Sequence, residues 1–280
     1  MDRNDTLRLI KDHDLKPVKG RGQNFLCDPK VVEVMADAAE VAHGDRVVEV
    51  GPGLGILTEE LLDKGARVLA VELDPKLARI VRERVTSGSL DVLRGDALGF
   101  SNDELASRLD AGEGEYKVVA NLPYSITSDA IRKFISERPR PSSFTVMVQR
   151  EVADRITASP PKMSLLSVAV QVYGEPRKLM NVPAGSFHPK PKVDSAVLHV
   201  RLYDDAEIQE KLSGIVPEKL LDLVKTGFAE RRKQLKNTLV GRYPKDALER
   251  AFAAAEIQPK ERPERLTVSD WVRLAAALIH

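Results

Sequence analysis

Asn121-Leu122-Pro123-Tyr124 sets a polar amide, a rigid imino acid and an aromatic ring directly after the apolar run Val118-Val119-Ala120. That run reads as a short buried strand, so the four residues stand at a strand's C-terminal end. Their types suit the handling of an exocyclic base amine. Such a nitrogen is a poor nucleophile, because its lone pair is delocalised into the ring. Accepting hydrogen bonds from its N–H groups draws electron density onto the nitrogen and aims the lone pair. The Asn121 side-chain oxygen and the Leu122 backbone carbonyl are placed to do this together. Pro123 fixes φ and stiffens the turn. Tyr124 offers a ring on which a base stacks, worth about 1–3 kcal/mol per base. Taken alone, the tetrapeptide favours an ordinary Asn-x-Pro turn. What stands elsewhere in the chain reverses that preference.

Arg46-Val47-Val48-Glu49-Val50 is a strand candidate that runs into Gly51-Pro52-Gly53-Leu54-Gly55 and then a helical pattern from Ile56 to Leu62. Glycines there let the backbone turn sharply and approach a ligand closely. A second strand, Arg67 to Val71, ends in Glu72, 21 residues after Gly51. An acid at that offset is placed to hold ribose hydroxyls in a βαβ nucleotide site. The third glycine comes one residue early for the dinucleotide pattern, and no Lys-Ser/Thr follows as in a P-loop. A nucleoside without pyrophosphate fits better, which points to S-adenosylmethionine.

Leu90 to Leu93 is a third strand candidate, followed by Arg94-Gly95-Asp96-Ala97. Asp96 is placed to accept a hydrogen bond from an adenine amino group, although such a residue alone is usually a turn aspartate. Gly51, Glu72, Asp96 and Asn121 therefore follow four successive strands. Open parallel sheets bind ligands at the carboxyl ends of their strands, so these positions predict one crevice.

Six motifs together resemble the small-subunit ribosomal RNA adenine dimethyltransferases. They are Gly22 to Leu26, Glu49 to Gly55, Val71 to Asp74, Gly95 to Ala97, Asn121 to Tyr124, and Phe187-His188-Pro189-Lys190-Pro191-Lys192-Val193-Asp194-Ser195. The resemblance runs from about Lys19 to the C-terminus. It implies a Rossmann-like class I methyltransferase sheet with a small C-terminal all-α domain, and S-adenosylmethionine as cofactor. The implied product is N6,N6-dimethyladenosine at two adjacent adenosines in a hairpin loop near the 3′ end of the small-subunit RNA, with a further role in assembly of the pre-small-subunit particle. Cofactor contacts are implied for Gln23, Asn24, Leu26, Gly51, Glu72, Asp96 and Asn121. Gln23 to Leu26 would fold over the cofactor, where the residues alone suggest only a loop before a helix starting near Asp28-Pro29. Phe187 would close on the target base opposite Tyr124; on its own it reads as a core aromatic in a proline-rich loop. Cys27 departs from the family, which favours an apolar residue there. Two other classes share much of this signature: DNA adenine methyltransferases, and transcription factors of the same fold that bind without catalysis. The short length suggests an archaeal or otherwise compact member.

The chain has 280 residues, 42% hydrophobic and 30% charged, enough for one or two domains with a real core. Its single cysteine, Cys27, excludes an internal disulfide and a multi-cysteine zinc site, and the five histidines show no metal pattern. One cysteine fits a reducing interior, and with no basic-then-apolar leader the expected location is the cytoplasm. No apolar run approaches the roughly 18 residues of a membrane span. A monomer is the default expectation. Net charge is only +1, so the location of charge matters more than its total. Lys225 to Arg242 holds Lys225, Arg231, Arg232, Lys233, Lys236 and Arg242 against Glu230 and reads as a helix, with Phe228, Leu235 and Leu239 on its apolar side. A solvated amphipathic face also explains such a stretch. An RNA enzyme needs phosphate contacts, so Arg231, Arg232, Lys233 and Lys236, with Lys190 and Lys192 of the Phe187 loop, are the expected RNA-facing residues.

Residues 1–18 are polar and expected to be mobile or loosely docked. Alternating strand and helix patterns extend to 203 and define the expected cofactor-binding domain. Phe144 to Val148, Val168 to Tyr173 and Ala196 to Leu202 are its later strand candidates. From 204 to 280 the strand signal gives way to helical patterns at Pro217–Phe228, Glu230–Val240, Lys245–Ala254 and Val268–Leu278. Thr267 or Ser269 is placed to cap the last helix, and Trp271 to sit in its core.

Overall fold

The computed structural model describes residues 2–15, 23–230 and 233–279. The strands are β1 (Phe25–Leu26), β2 (Arg46–Val50), β3 (Arg67–Glu72), β4 (Leu90–Arg94), β5 (Lys117–Asn121), β6 (Ser143–Gln149), β7 (Gly174–Val182), β8 (Phe187–His188) and β9 (Ser195–Leu202). The helices are α1 (Arg3–Asp12), α2 (Pro29–Ala38), α3 (Ile56–Asp63), α4 (Pro75–Arg84), α5 (Asn102–Ser107), α6 (Thr127–Ser136) and α7 (Arg150–Ile156). They continue with α8 (Leu165–Tyr173), α9 (Asp205–Lys211), α10 (Pro217–Gly227), α11 (Leu235–Leu239), α12 (Lys245–Ala254) and α13 (Val268–Ile279).

Seven strands form one sheet in the order β4-β3-β2-β5-β6-β9-β7. From β4 to β6 neighbours run parallel, and β9 is antiparallel to β6. Val47, Val48, Val68, Leu69, Ala70, Val118, Val119 and Ala120 are all buried. Near-continuous apolar runs of this kind suit strands covered on both faces. Burying each such valine or leucine contributes about 1.5–3 kcal/mol. Asp74 and Pro75 start α4: the Asp74 carboxylate accepts the Lys76 N–H at 2.9 Å, and proline occupies the first turn, where an N–H is not needed.

The chain leaves β2 outward through β3 and β4, then returns to the other side of β2 as β5. That reversal opens a crevice at the carboxyl ends of β2 and β5. Register aligns its rim: Val50 pairs with Val71 and Glu72 with Arg94. Gly51, Glu72, Asp96 and Asn121 thus share one edge.

Beyond the sheet, β1 and β8 form a two-residue antiparallel ribbon, pairing Phe25 with His188 and Leu26 with Phe187. Residues 3–12, expected to be mobile or loosely docked, are the helix α1, started by reciprocal bonds between Asp2 and Asp5. Leu9, Ile10 and Leu15 pack against Phe25, Leu54, Leu77 and Ile80, which gives the polar-looking segment a buried side. The Arg3 guanidinium donates to the Gly185 carbonyl at 2.7 Å, and Lys76 donates to the Asp14 carbonyl at 2.8 Å.

The chain divides into two compact units, 1–153 with 177–202, and 154–176 with 203–280. Segment 154–176 was expected with the sheet. Its Val168 to Tyr173 run, expected as a strand, lies in the helix α8, and the strand β7 begins only at Gly174. Ser164 and Ser167 form the capping box: each backbone N–H donates to the other's hydroxyl, at 2.6 and 3.2 Å. A serine in place of the usual Glu or Gln hides that start signal in a β-branched run. α8 packs on α10 and α13.

The helix expected over Glu230–Val240 is present only as α11 among the described residues. Leu235 is buried, and its N–H donates to the Glu261 carbonyl at 2.8 Å, so the helix restarts there. Thr267 caps α13 as expected, its hydroxyl oxygen accepting the Asp270 N–H at 3.1 Å. Trp271 is fully buried, with its ring 6.0 Å from that of Phe228. Among the described residues no helix is long and apolar enough to cross a membrane.

Candidate active site

The crevice is a cavity of about 290 Å³. Gln23, Asn24, Leu26, Gly51, Glu72, Asp96, Asn121, Leu122, Pro123, Tyr124 and Phe187 all line it. The four strand ends thus meet two segments far away in sequence, the β1 approach and β8. Gly51 and Gly53 have φ of +70° and +59°, a region that favours glycine. A Cβ built on Gly51 would meet nothing within 4 Å, and one on Gly53 would lie 3.4 Å from the Phe25 ring. At Gly51 the loop therefore offers bare backbone, while Gly53 lies against Phe25, which lines the same cavity.

Glu72 is anchored by backbone. Its carboxylate accepts the Gly53 N–H at 3.2 Å and the Asp74 N–H at 2.8 Å, which ties the second strand end to the glycine loop. Burial pushes its pKa up, against those two hydrogen bonds. Asp96 accepts the Leu98 N–H at 3.0 Å in a turn after β4. The Asn121 amide nitrogen lies 3.4 Å from the Asn24 carbonyl. In that orientation Oδ1 is the atom left to accept. Tyr124 opens a 3-10 turn, Tyr124–Ile126, and its hydroxyl lies 2.6 Å from Ser195 Oγ. Phe187 is only 1% exposed and packs with Leu26, Met147 and Val197 while lining the cavity. It is the core aromatic its sequence suggested, and its ring also borders the cavity.

Glu49 was missed as a cavity residue. It is 1% exposed, lines the cavity, and accepts the Thr58 hydroxyl at 2.6 Å. Burial raises its pKa to about 8, with the Thr58 bond opposing and the Glu72 charge adding. The signal was available: a lone acid inside the apolar run Val47-Val48-Glu49-Val50 contradicts a purely structural strand. Ser195 was quoted in a motif but given no role.

Among the described residues, none of the expected RNA-facing lysines lines the cavity. Lys190, Lys192 and Lys236 are exposed, and Lys233 is bonded to Glu230 at 2.8 Å. Arg242 is paired with Asp222 at 2.5 Å, an acid outside the window in which the positive charge was counted. Arg231 and Arg232 lie outside the described residues.

The family model of ribosomal RNA adenine dimethylases matches residues 18–280. The chain belongs to this family. Among relatives of this dimethylase, the ribosomal RNA small subunit methyltransferase A of Moorella thermoacetica is 38% identical over 284 residues, covering 98% of this chain and 97% of that protein. The protein of the same name from Alkaliphilus oremlandii is 36% identical over 276 residues, covering 96% and 94%. The dimethylase is also similar to the crystal structure of the 23S rRNA methyltransferase ErmE, with a TM-score of 0.71, 28% identity, and coverage of 92% of this chain and 100% of that one. A dimethyladenosine transferase from Plasmodium falciparum shares the fold, with a TM-score of 0.75 at 24% identity over 89% and 95%. The dimethylase is a methyltransferase with a class I sheet and C-terminal helices, as expected from its sequence.

Proposed function

We propose that this methyltransferase transfers methyl groups from S-adenosylmethionine to N6 of two adjacent adenosines in the 3′-terminal hairpin loop of small-subunit ribosomal RNA, giving N6,N6-dimethyladenosine. The observation that carries the reading is the convergence of eleven sequence-expected residues on one cavity at the switch point of the sheet. The donor set suits a nucleoside carrying an amino-acid tail. Glu72 is a buried acceptor for ribose hydroxyls, Asp96 an acceptor for an adenine amine, and the bare Gly51 backbone a cradle that a Cβ would fill. S-adenosylmethionine, when bound, supplies an electrophilic methyl group on a sulfonium.

The chain's residues do the rest. Asn121 Oδ1 and the Leu122 carbonyl accept the hydrogens of N6 and aim its lone pair. Pro123 holds those two acceptors at a fixed angle. Tyr124 and Phe187 stack on a base that is flipped out or already unpaired in its loop. No strong general base is required, because the N6 proton leaves after alkylation. Proximity and alignment supply most of the gain, up to roughly 7–11 kcal/mol in favourable intramolecular cases. Lys190, Lys192 and Lys236, with Arg231 and Arg232, are assigned to phosphate contacts, and Lys233 joins them only by giving up its ion pair with Glu230. The substrate is taken as the pre-small-subunit particle, met by a monomer in the cytoplasm.

The test is methyl transfer from labelled S-adenosylmethionine to small ribosomal subunits lacking the modification, followed by nucleoside digestion. Dimethyladenosine is expected with the native protein. Asn121→Ala is expected to slow transfer by about 10²-fold or more, as removal of a transition-state hydrogen-bonding group does elsewhere. Tyr124→Ala is expected to lose transfer while still binding cofactor. Transfer to duplex DNA but not to subunits would overturn the assignment.

A further inference from the structure

Tyr124 and Phe187 reach the cavity from elements remote in sequence, yet one dipeptide touches the supports of both. Ser195 Oγ meets the Tyr124 hydroxyl at 2.6 Å, and Ser195 is fully buried, so water does not compete at its side of the bond. Its neighbour Asp194 accepts the Ala184 backbone N–H through Oδ1 at 3.1 Å. Ala184 opens the short 3-10 turn Ala184–Ser186, which runs directly into Phe187. Asp194 is held in turn from the first residue of α7, directly after β6: its carbonyl accepts the Arg150 N–H at 3.0 Å, and Oδ2 lies 3.4 Å from Arg150 Nη1. Ser195 begins β9 and pairs with Gln149 at the end of β6, so the dipeptide stands on the sheet and not on a free loop.

We propose that Asp194 and Ser195 are positioning residues that set the two aromatic rings in register for the target base. Ser195 fixes the Tyr124 ring through its hydroxyl, and Asp194 fixes the turn that delivers Phe187. The inference rests on the reading of Tyr124 and Phe187 as a base clamp. A bond that merely stiffened the fold would lower the melting temperature without touching RNA-dependent rates selectively. One that aims a ring lowers kcat/KM for RNA and leaves the cofactor Kd unchanged.

The experiment is a double-mutant cycle of Ser195→Ala and Tyr124→Phe, the latter keeping the ring and removing only the hydroxyl. It reads kcat/KM for methyl transfer to unmodified small subunits, together with cofactor Kd and melting temperature. Each single variant is expected to lose about fivefold, the worth of one neutral hydrogen bond, and the double variant no more than either single. Losses that multiply to about 25-fold would overturn the Ser195 role. Should Ser195→Ala lose its cooperative melt, Ser195→Cys, which keeps the volume and weakens the bond, takes its place in the cycle. For Asp194, Asp194→Asn keeps an acceptor for the Ala184 N–H and Asp194→Ala does not. Near-native rates for the first and about a fivefold loss for the second are expected, and equal losses would overturn that role. Tyr124→Ala separates the two levels. If it transfers methyl normally, the clamp reading falls and the inference with it. If it is inactive while the cycle multiplies, the inference alone falls.

Discussion

A carboxyl group buried as deeply as that of Glu49 keeps its proton far beyond the ordinary carboxylate range. Burial moves its pKa from 4.5 to about 8, and the Glu72 carboxylate, also raised by burial, faces the same cavity. The unfolded chain releases the Glu49 proton near the ordinary value, so between about pH 4.5 and 8 the folded state holds it more than the unfolded one does, and the raised Glu72 pKa acts in the same direction. Stability is then complete below that window and is lost as pH rises through it. For Glu49 the loss is on the order of a few kcal/mol. Glu49→Gln keeps an acceptor for the Thr58 hydroxyl and removes the titration. Denaturant unfolding of the cofactor-free protein at pH 5 and pH 8 should show a clear drop for the native chain and a smaller one for the variant, with Glu72 supplying the remainder. Identical pH slopes would refute this account.

Elements hold these residues through contacts that a linear reading does not display. Strands β3 and β5, and β2 apart from Glu49, were legible because a parallel sheet buried on both faces demands near-continuous apolar runs, whereas β4 buries only Val92. α8 was not, because its β-branched run satisfies strand and helix patterns alike, and the arbitration came from a serine pair and from packing against α10 and α13. The close approach of α10 to α13 is equally a tertiary matter. A Cβ on Gly227 would run into the Trp271 ring and lie 3.0 Å from Leu235. Gly227→Ala is therefore expected to destabilise the helical unit by about 1–3 kcal/mol, despite the better helix propensity of alanine. Trp271 is the one tryptophan in the sequence, so its fluorescence reports the melting of this unit directly. An unchanged or raised midpoint would show that the ring moves aside without cost.

Over the whole molecule, 43 basic and 42 acidic residues nearly cancel, so affinity for RNA has to come from placement. Lys190, Lys192 and Lys236 are exposed, whereas Arg242 is occupied by Asp222 and Lys233 by Glu230. Each phosphate contact on single-stranded RNA contributes about 0.7 to the slope of log K against log salt. Replacing Lys190, Lys192 or Lys236 by alanine should lower the slope by about that amount per residue, and Arg242→Ala by less. The measurement is RNA binding across a salt series. Slopes unchanged by all three lysine variants would remove them from the RNA interface.

By itself the sequence determined the alternation of buried strands and helices, the glycine loop, the acid 21 residues beyond it, and the polar positions at successive strand ends. These follow from backbone rules that operate within a few residues: apolar periodicity, the freedom of glycine, the rigidity of proline. Only the tertiary structure decided that α1 is docked, that segment 154–176 belongs with the C-terminal helices, and that β1 pairs with β8 beside the cavity. It also decided that burial raises the Glu49 pKa and that Ser195 meets Tyr124. Each of these depends on desolvation or on partners more than a hundred residues apart or on another element, and no local pattern encodes which distant surface will exclude the water.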